Sequence, residues 1–209
     1  FIIYLAVCVE KCSFAMALCV RKCWFSSKTC VEKCKHLTIS CVEKCKAMKR
    51  KIYKQLVDWK NREQHKPLIL NGVRQCGKTY ILKEFGRNEF DNLAYISCDR
   101  NESLHAIYAG DFDTARIIRG LSALTGVDII PGKTLIFLDE VQAFPQALEA
   151  LKYFCEDAPE YHIVVAGSLL GVALHAGISF PVGKIQSMRL FPMDFEEFLM
   201  AMGEDQLLC

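Results

Sequence analysis

The chain has almost no net charge: 26 Lys and Arg stand against 24 Asp and Glu in 209 residues, a balance of +2. It therefore carries no overall signal for a polyanionic partner such as nucleic acid. Nor does it offer a membrane span. The apolar run from Phe1 to Val9 stops at Glu10 and Lys11, too short to cross a bilayer. That run lacks the basic flank and cleavage pattern of a secretory signal. Residues 48–209 are poor in cysteine, with only Cys76, Cys98, Cys155 and Cys209, scattered and without a pairing pattern. Such spacing excludes a disulfide framework there and fits free thiols in a reducing, cytoplasmic compartment. What remains is ordinary globular composition, 52% hydrophobic and 24% charged, enough for one domain with a real core.

The first 47 residues differ from the rest. Residues 1–47 carry a net charge of +5 and residues 48–209 a net charge of −3. The longer part therefore shows no basic face at the level of sequence. Eight cysteines, Cys8, Cys12, Cys19, Cys23, Cys30, Cys34, Cys41 and Cys45, form four C-x-x-x-C pairs that recur every eleven residues. Four readings compete. Zinc ligation is permitted by the spacing but not specified by it. A disulfide framework conflicts with a reducing compartment. A helix would align the thiols in a stripe, since eleven residues make close to three turns. The fourth reading is a short tandem DNA repeat translated in frame, with Met48 as the natural start. It is preferred here, and it predicts a segment of no packed structure and no bound metal, not a genuine domain.

The informative motif lies beyond it. Gly72-Val73-Arg74-Gln75-Cys76-Gly77-Lys78-Thr79 fits G-x-x-x-x-G-K-[ST], the phosphate-binding loop of an NTPase. Its flanks suit it. Pro67 to Asn71 is an apolar run of strand length, and Tyr80 to Phe85 reads as a helix that stops at Gly86. Glycines let backbone N–H groups turn inward around phosphates, and the following helix adds its positive end. Lys78 is the candidate for the β- and γ-phosphates, and the Thr79 hydroxyl for Mg2+. Gly72, Arg74, Gln75, Cys76, Gly77, Lys78, Thr79 and Tyr80 form the predicted nucleotide-binding set.

Thr134 to Leu138 is an apolar strand that ends in Asp139-Glu140. A strand apolar throughout suggests burial on both faces, as in a parallel sheet. Its C-terminal edge is where open α/β sheets bind ligands. Asp139 is expected to hold Mg2+ and Glu140 to act as general base on water. A third strand, Tyr161 to Ala166, leads to Gly167-Ser168. Ser168 is the candidate to touch the γ-phosphate or the water, with a helix N-cap before Leu169 as the equal alternative. His162 reads as a core or edge histidine and not as a ligand.

Together these residues resemble a prokaryotic AAA-type P-loop ATPase family, in which an ATPase domain precedes a C-terminal region of unknown function. The resemblance spans residues 48–203. It is carried by the loop, by Leu138-Asp139-Glu140-Val141-Gln142, by Ala166-Gly167-Ser168-Leu169-Leu170-Gly171, and by Leu190 to Leu199. It implies ATP binding, Mg2+-dependent hydrolysis and a three-layer fold, a five-stranded parallel sheet flanked by helices. Cys76 stands where the family has a small aliphatic residue, and only its backbone N–H is needed. Lys184 follows Gly183 where the family often has Arg. Lys184 and Arg189 are the basic candidates for a contact across a subunit interface.

Further elements follow from periodicity. Residues 49–64 form an amphipathic helix through Ile52, Leu56, Val57 and Trp59. Strands are expected at 92–98 and 185–190, and helices at 102–108, 113–125, 145–154 and 194–202. Asp99, after the strand at 92–98, is an acid of the kind the resemblance implies there, or else a cap for the first of these helices; Glu196 and Glu197 face outward on the last. Alternating strands and helices argue a parallel sheet with right-handed crossovers. The chain stops before a helical lid, so a C-terminally truncated ATPase domain is expected. The alternative function is a nucleotide-gated switch with little turnover, signalling through a C-terminal domain outside this chain. Self-association or a protein partner would act through that same region. Neither a membrane nor nucleic acid is indicated as a partner.

Overall fold

A computed structural model of the chain describes residues 50–99, 101–168 and 183–202. The cysteine-repeat segment 1–47, and the helix that Ser168 is expected to cap from Leu169 onward, lie outside the described residues. The chain divides into two compact units. One is Arg50–Met193; the described part of the other is residues 194–202.

Five strands make one sheet in the order β2-β3-β4-β1-β5, all neighbours parallel. They are β1 (Leu68–Gly72), β2 (Asn92–Ser97), β3 (Thr134–Asp139), β4 (His162–Gly167) and β5 (Gln186–Leu190). Helices α1 (Ile52–Lys60), α2 (Lys78–Glu89), α3 (Ser103–Ile107), α4 (Thr114–Thr125) and α5 (Pro145–Asp157) complete this unit. The fold class is the expected one, α/β with three layers.

The period of two along each strand builds the two cores. Leu68, Leu70, Leu135, Phe137, Val164 and Ala166 point to one face, where they meet Ile52, Leu56 and Trp59 of α1 and Ile81, Leu82 and Phe85 of α2. The intervening Ile69, Ile136, Leu138, Ile163 and Val165 point to the other face. There they pack with Leu104 of α3, Ile117 and Leu121 of α4, and Leu148, Leu151 and Phe154 of α5. The three central strands therefore read as continuous apolar runs, because both faces are covered. Phe137 is fully buried at the centre, and its truncation to Ala would cost about 3–5 kcal/mol. Edge strand β5 buries only alternate residues, Met188 and Leu190.

Three boundaries differ from expectation. Helix α1 is shorter than 49–64. Beyond Lys60 the Arg62 N–H bonds the Trp59 carbonyl, and the Trp59 indole donates to the Lys66 carbonyl at 2.8 Å, leading the chain into β1. Helix α2 continues past Gly86 to Glu89. Gly86 serves packing and not termination, since a Cβ there would lie 2.7 Å from Leu93 Cδ1. Helix α3 is preceded by Glu102 and not by Asp99. In the second unit α6 (Phe195–Met202) begins with a capping box: Glu197 N–H donates to Asp194 Oδ1 and Asp194 N–H to Glu197 Oε2. Glu197 is accordingly buried rather than outward-facing, because its carboxylate serves the helix start.

At the N-terminal edge of the sheet, the His65 and His162 rings stack at 3.8 Å, with Trp59 edge-on to both. Their Nε2 atoms approach the Tyr161 and Lys60 carbonyls, which only accept, so each Nε2 carries the proton. His162 is thus a core histidine. Burial, with His65 beside it, pushes its pKa down to about 4; burial also lowers that of His65. The folded values lie below the unfolded one, so the native state binds fewer protons on acidification. Stability is full above the ordinary imidazole range and is lost as pH falls toward about 4. Unfolding free energies from urea titrations should therefore drop across that window, by at most about 1.4 kcal/mol per pH unit for each group. In His162→Phe the drop should shrink to the share that His65 carries.

Candidate functional site

The loop between β1 and α2 wraps the C-terminal edge of the sheet. Gly72 closes β1 against β5, and a Cβ there would lie 2.5 Å from the Leu190 carbonyl oxygen and 2.9 Å from Cys76 Sγ. Gly77 begins α2 in the left-handed region at φ +95°. Between them Gln75 also takes a positive φ, +61°. Val73, Arg74 and Gln75 are exposed at the tip, whereas the Cys76 side chain is packed inside.

Lys78 is buried, and its ammonium donates to the Gly72 and Val73 carbonyls at 2.9 and 2.8 Å. The adjacent Thr79 hydroxyl donates to Asp139 Oδ2 at 2.8 Å. This bond joins the loop to the end of β3, although β4 lies between β1 and β3. Lys78, Thr79, Asp139 and Glu140 thus share one site. Asp139 is nearly enclosed; its Oδ1 accepts from the Glu140 N–H at 3.0 Å, and the Tyr95 hydroxyl lies 3.4 Å from Oδ2. Burial and the neighbouring Asp139 raise the Tyr95 pKa, so the phenol stays protonated as a donor. Lys83 sits over the Tyr95 ring. Burial, with Asp139 and Glu140 near, pushes the Cys98 thiol to about 12, which leaves it inert.

The donor set fits Mg2+. A hydroxyl and a carboxylate oxygen at hydrogen-bond distance are hard ligands able to share one ion. Orphaned atoms mark the same edge. Among the described residues, Asn71 Oδ1, Gln142 Oε1 and Ser168 Oγ are buried and without a hydrogen-bond partner. They follow or end β1, β3 and β4, three adjacent strands.

Other predicted residues lie apart. Tyr80 is exposed on the first turn of α2. Lys184 precedes β5, at the sheet edge opposite the loop, in an ion pair with Glu156 at 3.1 Å. Arg189 lies on the loop side, in register with Asn71 and with its guanidinium 5.5 Å from the Phe191 ring.

Sequence reasoning missed three participants. Tyr95 carried no motif signal, and Gln142 entered only as part of the resemblance after Asp139-Glu140, with no role given to it. Arg50 is the third: its guanidinium is buried, donating to the Cys76 carbonyl at 3.0 Å and to the Phe191 carbonyl at 2.6 Å. It ties the loop to the end of β5. An Arg within the basic run Lys49-Arg50-Lys51 at the start of an amphipathic helix reads as solvated, and only the tertiary contact reveals otherwise.

Gly72→Ala should collide with the Leu190 backbone, which cannot retreat within a sheet. The expected result is a loop pushed off its strand, with ATP affinity lowered by roughly tenfold or more and a reduced unfolding midpoint. Isothermal titration and thermal melts check it; wild-type values for both would show that the loop tolerates a side chain there.

The model of a family described as an AAA domain matches residues 64–199. Among solved structures, the chain is similar to the Walker-type ATPase PABY2304 of Pyrococcus abyssi, at 14% identity and a TM-score of 0.49, over 75% of this chain and 57% of that one. It is also similar to the ORC1 protein of Aeropyrum pernix in complex with DNA, at 16% identity and a TM-score of 0.41, over 75% of this chain and 48% of that one. The chain thus spans about half the length of these solved structures. No match was found among curated proteins.

Proposed function

The chain belongs to the AAA domain family, and on that premise we propose that it binds ATP and hydrolyses its terminal phosphoanhydride bond with the help of Mg2+. The observation that supports this reading is the Thr79–Asp139 hydrogen bond, which brings the start of α2 and the acidic end of β3 into contact.

The roles follow from the chemistry of each group. Loop N–H groups and the positive end of α2 hold the β- and γ-phosphates. Lys78, already buried in the loop, adds a full positive charge where the enclosed setting strengthens it. Thr79 and Asp139 would hold Mg2+, which when bound offsets charge on the phosphate oxygens. Glu140 accepts a proton as the water oxygen bonds to the γ-phosphorus and the bridging bond to the β-phosphate breaks. Ser168, at the end of β4 with an unpartnered hydroxyl, contacts the γ-phosphate or the water. Of Lys184 and Arg189, the loop-side position favours Arg189 as a contact from a neighbouring copy. The free thiols of Cys76, Cys98 and Cys155 suit a reducing, cytoplasmic setting, and among the described residues no helix is long and apolar enough to cross a membrane.

Two variants test the reading. Lys78→Ala should lower ATP affinity at least about tenfold, since Lys78 is the buried cation of the loop whereas Arg74 is exposed at its tip. Glu140→Gln should keep ATP affinity within about twofold while phosphate release falls by roughly 10²–10⁴. Equal turnover in Glu140→Gln would remove the general base. Tight binding by the wild type with no phosphate release would replace hydrolysis by the nucleotide-gated switch.

A further inference from the structure

One contact of the general base has no role in that reading, and the inference from it rests on Glu140 being the base. Glu140 leaves β3 in the left-handed region, at φ +53°. It and Gln75 are the two non-glycine residues with positive φ among the described residues, and both lie in this site. Such backbone costs about 1–3 kcal/mol for a residue with a side chain, and it persists only where the surroundings enforce it. Here the turn Val141–Ala143 enforces it, with the Ala143 N–H bonded to the Glu140 carbonyl at 2.9 Å. The tight turn brings the side chain two residues on back over the acid. Gln142 Nε2 donates to Glu140 Oε2.

That bond fixes the amide's orientation. A carboxylate only accepts, so the Gln142 nitrogen must face Glu140 and Oε1 must face away. Oε1 is buried and has no donor among the described residues. Leaving a buried acceptor unsatisfied costs about 1–3 kcal/mol, and in a native protein such a group asks for an explanation. Its location supplies one. In the sheet register Leu138 stands beside Val165 and Asn71 beside Gly167, so the segment after β3 lies next to the end of β4. The Ser168 hydroxyl and Asn71 Oδ1, also buried and unpartnered, stand at the ends of the next two strands. Three unsatisfied polar atoms thus belong to residues at the C-terminal ends of three adjacent strands, the edge at which the loop lies.

We propose that Gln142 positions the attacking water together with Glu140. Its amide N–H holds the carboxylate in one orientation by occupying Oε2, which leaves Oε1 as the proton acceptor. Its own carbonyl accepts the second O–H of the same water. One O–H then points to Glu140 and the other to Gln142, and the lone pair is left facing the γ-phosphorus. Glu140 takes one proton as the P–O bond forms and the bridging P–O bond breaks; Gln142 exchanges no proton.

The test uses the 209-residue chain with Gln142→Ala, the near-isosteric Gln142→Glu, Glu140→Gln, and the double variant Glu140→Gln with Gln142→Ala. Phosphate release, ATP binding by equilibrium fluorescence titration, and the urea midpoint are measured for each. The expected result is a kcat lowered roughly 10- to 100-fold in both Gln142 variants, with ATP Kd within about twofold and the urea midpoint unchanged. Gln142→Glu should fail because a carboxylate cannot donate to Glu140. In the Glu140→Gln background, Gln142→Ala should bring no further loss, since the two side chains act on one water. Wild-type kcat in Gln142→Ala beside a dead Glu140→Gln would overturn the inference and leave the hydrolysis reading intact. Weakened ATP binding with a lowered urea midpoint would also overturn it, by assigning Gln142 to packing. Active Glu140→Gln would overturn both.

Discussion

A single hydrogen bond, Thr79 Oγ1 to Asp139 Oδ2 at 2.8 Å, unites the site. Its partners are sixty residues apart in sequence. Thr79 stands in α2, which follows β1, and Asp139 ends β3, while β4 runs between β1 and β3. The bond therefore reports that three strands end at one level and that their following loops converge. Within the enclosed edge a hydroxyl–carboxylate contact gains strength from weak screening. Lys78, Tyr95 and Glu140 all take their places relative to it.

The sheet makes that convergence rigid. Its central strands are covered on both faces, so their ends cannot drift without opening one of two cores. Rigidity of this kind lets Glu140, at the end of β3, hold a conformation that a loosely held loop would relax. Arg50 adds a second restraint, binding the loop at the Cys76 carbonyl and the β5 exit at the Phe191 carbonyl. A buried guanidinium with two carbonyl acceptors anchors backbone to backbone and senses no side-chain identity, and this is why neither acceptor advertises it.

Much of the fold was legible because parallel strands covered by helices leave a coarse imprint. Leu68–Leu70, Leu135–Leu138 and Ile163–Ala166 are apolar without interruption, and helical periods fall between them. The errors were local. Gly86 was read as a stop, whereas it is the small residue that lets α2 lie against Leu93. Asp99 offers two readings, an acid after β2 or a helix cap, and the cap position is taken by Glu102, just before α3. Glu197 was placed on an outer face, whereas it closes a capping box. In each case one residue type serves two physical roles, and composition alone does not choose between them.

The amino-acid order by itself determined which groups are available for phosphate chemistry. Gly72, Gly77, Lys78 and Thr79 come at the spacing of one loop, and Asp139 and Glu140 come at the end of one buried strand. Covalent spacing suffices for this, because a turn and a strand end are short-range objects. Only the tertiary structure decided what surrounds those groups: Arg50 under the loop, Tyr95 against Asp139, and Gln142 over Glu140. Those contacts depend on strand order and register, which bring distant segments within a few ångströms, and on a left-handed turn at Glu140 that its sequence neighbours do not announce.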